Sequence, residues 1–160
     1  MSIQEDVQKA LNRAYFYLKF RPRTKKEVAS YLQKKSEKFY HWQFGVIEKA
    51  IESLELEGII DDKKFIESFV VSRNAVKPKS EFALRRELTH PGIDKDLIDR
   101  FFADNPLPEE DLARKALKIR WFHFSHFDKK TRFEKAVKFL MRRGFIFSIA
   151  KKIVEEMEIL

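Results

Sequence analysis

An all-α fold follows from three properties of this 160-residue chain. Glycine and proline are scarce, at four and five residues, so few points of the chain are marked as turns. Apolar residues recur at helical spacing, as in Leu11, Ala14 and Leu18, or Val28 and Leu32. No segment shows the strict apolar/polar alternation of a half-buried strand. With 44% hydrophobic and 14% aromatic residues, the chain has the material for a real core.

The elements follow in order. The first helix carries Leu11, Ala14 and Leu18 and is stopped by Pro22; Thr24 then caps a second helix with Val28 and Leu32 on its apolar face. An insertion, EKFYHWQFG, precedes a third helix at about Val46–Leu56. The adjacent carboxylates Asp61 and Asp62 open a fourth, one as its N-cap and the other as complement to the helix dipole. Pro78 and Ser80 repeat the stop and cap of Pro22 and Thr24, and Leu84 and Leu88 fall in register with Val28 and Leu32. After Gly92, Leu97 and Phe101 lie four apart on one face of a sixth helix. In RFEKAVKFLMRRGF, residues 132–145, Ala136 and Leu140 take the same register and Gly144-Phe145 matches Gly92-Ile93. Ile149 and Ile153 then mark the last helix.

Three copies in register imply three tandem three-helix units, 1–60, 61–106 and 107–160, with the third strongly basic. Units of about 50 residues have little core of their own, so they are expected to lean on one another in an elongated, curved helical array. The first copy departs from the pattern, with Ser36 where the others have glycine.

Net charge is +8 and unevenly placed. Residues 112–152 hold thirteen Lys/Arg against Asp128 and Glu134, a local excess of +11. A basic face of this kind attracts nucleic acid or an acidic protein surface. There is no cysteine, so disulfides, a thiolate nucleophile and Cys-based zinc sites are excluded. The start MSIQEDVQKAL has no apolar core of a signal peptide, and no apolar run reaches the ~20 residues of a membrane span. A soluble, cytoplasmic protein without membrane association is expected. No Gly-rich phosphate loop, nucleophile elbow or H-E-x-x-H motif occurs, so neither an enzyme nor a cofactor is expected.

RPRTKKEVASYL at 21–32, LELEGIIDDKKFIESFVVSR at 54–73, LRRELTHPGID at 84–94 and FLMRRGF at 139–145 resemble the RecX family of recombination regulators. The resemblance runs nearly the whole chain in order. Its most specific parts are Gly58, Asp61, Asp62 and Phe65, and the Arg142–Phe145 string; Gly92, Gly144 and Phe145 complete the structural motif. It implies a protein that binds the helical groove of RecA–DNA filaments and thereby reduces ATP hydrolysis and strand exchange. RecA filaments, with single- or double-stranded DNA, would then be its partners; no dimer seam is evident, so a monomer is expected.

The residues expected to carry binding are cations. In the third unit, Lys135, Lys138 and Arg142 at i, i+3, i+7 form one helical stripe, which Lys115, Lys118 and Arg143 would extend. In the first two units Arg21, Arg23, Lys25, Lys77, Lys79, Arg85 and Arg86 would continue it. In WFHFSHF, His123 and His126 have no further ligand at metal spacing, so no metal site is expected. Its rings read mostly as core, with Trp121 or Phe124 as the candidates for exposure and base stacking. The competing function is a helix-turn-helix protein acting on naked DNA, since capped helix junctions followed by basic helices also suit that role.

Overall fold

The structure, a computed structural model, describes residues 2–160, and among these it contains nine α-helices and no strand. They are α1 (Ile3–Leu18), α2 (Lys25–Lys35), α3 (Val46–Leu56), α4 (Asp62–Val76), α5 (Glu81–Thr89), α6 (Lys95–Asp104), α7 (Glu109–Phe124), α8 (Lys129–Arg142) and α9 (Phe147–Ile159). The all-α expectation therefore holds. By compactness the chain divides into Met1–Glu67 with Leu88–Leu97, and Ser68–Glu87 with Ile98–Leu160.

The first unit is organised by α1, α2 and α3. Ala10 and Ala14 give α1 a flat buried stripe, against which Val28 and Leu32 of α2 and Val46, Ala50 and Leu54 of α3 form one apolar cluster. Small residues on one helix let its neighbours approach closely, which is why alanine stands at fully buried positions here. Thr24 caps α2 in a reciprocal box: its Oγ1 accepts from the Glu27 N–H at 3.2 Å, and Glu27 Oε1 accepts from the Thr24 N–H at 3.1 Å.

The insertion in the first copy has a specific structural outcome. Helix α2 does not end in a glycine at the register of Gly92 and Gly144; Ser36 stays right-handed, and a five-residue π-turn, Ser36–Tyr40, follows it. The His41 N–H closes this turn on the Ser36 carbonyl at 2.7 Å, and His41 takes the left-handed conformation at φ 48°. A wider turn absorbs extra residues without breaking the helix axis, and its end needs a positive φ that histidine tolerates locally.

In the second unit, α7, α8 and α9 enclose Leu112, Ala113, Ala116, Leu117, Ala136, Val137, Leu140, Phe145, Ile153 and Val154. Helix α8 ends on a Schellman motif: the Phe145 N–H donates to the Leu140 carbonyl and the Gly144 N–H to that of Met141. Phe145 is thereby turned into the core. The end of α3 is built identically in the first unit, where Ile59 and Gly58 donate to the Leu54 and Glu55 carbonyls. No helix among the described residues is long and apolar enough to cross a membrane.

Candidate functional site

The acidic pair comes first, because its two members do different things. Asp61 Oδ1 accepts from the Lys64 N–H at 3.2 Å and caps α4. Asp62 instead reaches across the first unit, its Oδ1 accepting from the Lys25 N–H at 2.9 Å, at the start of α2. Burial pushes its carboxyl above the usual range, opposed by that hydrogen bond. Phe65, half-buried, donates its N–H to the Asp61 carbonyl. Among the described residues no cluster of three potential metal ligands occurs.

The cations predicted to bind fall into two groups. In the first unit Arg21 holds Glu27 at 2.5 Å, Arg23 lies 4.0 Å over the Tyr17 ring with its side chain only 14% exposed, and Lys25 pairs with Glu55 at 3.0 Å. In the second unit Lys79 pairs with Glu87, which also takes Arg73 at 2.9 Å. Burial would raise the Glu87 carboxyl, but Lys79 and then Arg73 outweigh it and hold it below the usual range. Arg85 is shared by Glu81 and Asp99, and Arg86 lies near the Phe82 ring at 5.9 Å.

The rest are differently placed. Lys77, Lys118, Lys135, Lys138 and Arg142 are exposed, and among the described residues none of them forms an ion pair. Lys135 sits 4.9 Å over Phe127, and Lys115 donates to the Asn74 carbonyl at 3.3 Å. Arg143 is half-buried and donates to the Pro78 carbonyl at 3.1 Å. Exposed lysines and arginines with no carboxylate neighbour can meet an external anion directly, whereas paired ones have an internal carboxylate competing for the same position.

Two family models match the sequence, one for the first three-helix domain of RecX over residues 10–36 and one for its second three-helix domain over residues 61–100. A regulatory protein RecX of Prosthecochloris aestuarii is 30% identical over 154 residues, covering 95% of each chain. The chain belongs to the RecX family. A further RecX, from Chlorobium phaeobacteroides, is 34% identical over 88% of this chain and 87% of its own. The crystal structure of RecX from Lactobacillus salivarius superimposes with a TM-score of 0.80 at 22% identity, over 98% of this chain and 99% of that one. A second RecX crystal structure gives 0.74 at 22% identity, over 96% and 73%. At such identity the likeness bears on the fold, and the all-α helical array is shared.

Two features of this RecX chain differ from the sequence reading. The exposed phenyl ring of WFHFSHF is Phe122, 83% exposed, while Trp121 and Phe124 pack against the core. The reason is phase: Leu117, Trp121 and Phe124 lie at i, i+4, i+7 on the buried side of α7. The second is Arg120, which the sequence reading passed over. It shares a face with Ala116, Ile119 and His123, and that spacing was the available signal.

Proposed function

We propose that this RecX-family protein is a cytoplasmic, monomeric regulator that engages RecA filaments and their DNA through its exposed cations, and lowers recombinase ATPase activity and strand exchange. Its working parts are then three three-helix units, 1–60, 61–106 and 107–160, with the third supplying most of the charge. The observation that supports this reading is the division among the cations. Arg21, Arg23 and Lys25 of the first unit, and Lys79 and Arg85, face internal carboxylates, whereas Lys118, Lys135, Lys138 and Arg142 do not. Helix α8 buries Ala136, Val137 and Leu140 and turns Lys135, Lys138 and Arg142 to solvent. A stripe of this kind suits the evenly spaced phosphates of a nucleoprotein filament, where each neutralised phosphate releases a counterion.

The test is the charge reversal Lys135→Glu, Lys138→Glu and Arg142→Glu, followed by the DNA-dependent ATPase of RecA. The variant keeps its helical circular dichroism, because the three positions lie off the buried face. It requires much higher concentrations to suppress the ATPase, and its binding to single-stranded DNA loses about 2 in log–log salt slope, at ~0.7 per contact. Suppression at unchanged concentrations would overturn the assignment. A sequence-specific site on naked duplex, with no effect on RecA, would replace it by a helix-turn-helix function.

A further inference from the structure

The second unit contains a cavity of about 390 Å³ whose lining includes Lys77 and Pro78 after α4, Ile119, Arg120 and His123 of α7, and Arg143 after α8. Three cations meet in it, and no aspartate or glutamate lines it. That is unlike the other arginine clusters of this unit. Arg85 lies between Glu81 and Asp99, Arg114 between Asp111 and Glu156, and Arg132 grips Glu158 with two bonds of 2.6 and 2.7 Å.

Arg143 is held in place. Its guanidinium donates to the Pro78 carbonyl at 3.1 Å and lies 4.8 Å from the centre of the Phe139 ring, while Arg120 approaches the same ring at 5.8 Å. Two guanidiniums against one ring repel each other, and partial burial makes the repulsion dearer. Burial first, and the Arg120 charge second, hold Arg143 below the usual arginine value, though a guanidinium remains charged at neutral pH. An anion seated between them would relieve both costs. The planar fork of an arginine can bind two oxygens of a tetrahedral phosphate at once, and Lys77 adds a point charge.

The wall beside the cations is not polar. Val76 and Ile119 line it with exposed side chains, and the His123 ring meets the exposed Phe122 edge-on at 6.2 Å. A bare inorganic anion has no use for such a wall; a phosphate carrying a base does, because bases stack on exposed rings whatever their identity. The volume falls within the ~300–1,000 Å³ of small-ligand sites.

We propose that this pocket holds one nucleotide of a single nucleic-acid strand, its phosphate between Arg120, Arg143 and Lys77 and its base against Ile119 and His123. The proposal rests on the DNA-binding reading above and adds a contact point separate from the α8 stripe. A free nucleotide offers the same chemistry, and the two sources are told apart by experiment.

Fluorescence anisotropy of labelled oligo(dT), repeated across salt concentrations, counts the phosphates neutralised. Arg120→Gln is the informative change, because Arg120 is exposed and its loss leaves the Arg143–Pro78 bond in place. It lowers the log–log slope by about 0.7, and adding Lys77→Gln lowers it by about as much again. Calorimetry with thymidine monophosphate supplies the second arm and is expected to show no saturable binding. Saturable binding that Arg120→Gln abolishes, with an unchanged oligo(dT) slope, would overturn the strand assignment in favour of a free nucleotide. An unchanged slope with no nucleotide binding would overturn the site. If the α8 triple reversal weakens oligo(dT) binding while Arg120→Gln does not, the pocket falls and the reading above stands. Wild-type protein that ignores oligo(dT) sinks both.

Discussion

At the first proline junction, Pro22-Arg23-Thr24, a side chain closes the contact: the Thr24 hydroxyl donates to the Pro91 carbonyl at 2.6 Å. At the second, Pro78-Lys79-Ser80, the main chain does so, with the Ser80 N–H donating to the Arg143 carbonyl at 3.0 Å. In both, the partner immediately precedes a left-handed glycine, Gly92 at φ 80° or Gly144 at φ 93°. Each glycine loop therefore rests on a capped helix start from the preceding copy. What differs is the room. A Cβ on Gly92 would meet Lys26 Cδ, which can swing aside, and also Lys26 Cβ and Cγ at 3.0 Å, a tight contact with one side chain only. One on Gly144 would meet Ser80 Oγ, then the Ala83 Cβ at 2.8 Å and the Ala83 backbone nitrogen at 3.1 Å, which cannot. The same repeat thus has a tight closure against one side chain and a tighter one against a neighbouring helix start.

The largest effect should come from putting alanine in both loops. Gly144→Ala combines left-handed strain of about 1–2 kcal/mol with an overpacking cost of about 1–3 kcal/mol. Gly92→Ala should show the strain of about 1–2 kcal/mol with a smaller packing cost than Gly144→Ala, since Lys26 alone has to give. Urea unfolding measures both, and equal losses would break the distinction. Ser80→Ala in the Gly144→Ala background should recover part of the loss, since the nearest clash is with Ser80 Oγ.

The caps give the next effect. Thr24→Val removes both the bond to the Glu27 N–H and the one to Pro91, costing about 2 kcal/mol. Ser80→Ala loses only the bond from the Ala83 N–H, about 1 kcal/mol, because its tie to Arg143 belongs to the backbone. A larger loss at Ser80 than at Thr24 would show that the side chain, not the main chain, holds the second junction.

The smallest effect should be Asp62→Asn at the first junction. Burial raises the folded-state pKa of Asp62, so its ionised form at neutral pH is a cost that fades as pH falls through that raised value. Asparagine keeps an oxygen for the Lys25 N–H and removes the charge. The variant should be as stable as wild type or slightly more so at neutral pH, with any gain shrinking in acid. A loss that grows toward neutral pH would mean that the ionised carboxylate itself strengthens the start of α2.

Much of this was legible in the sequence, because caps, proline stops and helical faces are local. Thr24 and Ser80 announced helix starts, and Gly144-Phe145 announced a helix end. What could not be read were contacts between distant positions. Thr24 and Pro91 are 67 residues apart, and periodicity reports which face a residue occupies, not what lies against it. The Asp62 carboxylate looked like a complement to the dipole of its own helix, whereas it caps the start of α2. The cations were blurred for the same reason: Lys77 and Lys79 are two apart in sequence, yet only Lys79 turns to Glu87. Arg120 went unnoticed because the pocket that gives it meaning is assembled from three separated segments.

The 67-residue reach of the Thr24 hydroxyl also has a consequence for a chain being made. Helices form within microseconds, but a ribosome adds only ~5–20 residues per second, so Thr24 waits about 3–13 seconds before Pro91 has been synthesised. During that interval α2 must hold on its local Glu27 box, on the Ala10–Leu54 cluster and on the Asp62 carboxylate at its start, without the bond to Pro91. Ser80 faces a similar delay until Arg143 has been added. Synthesis thus leaves each junction open until a later copy emerges to close it.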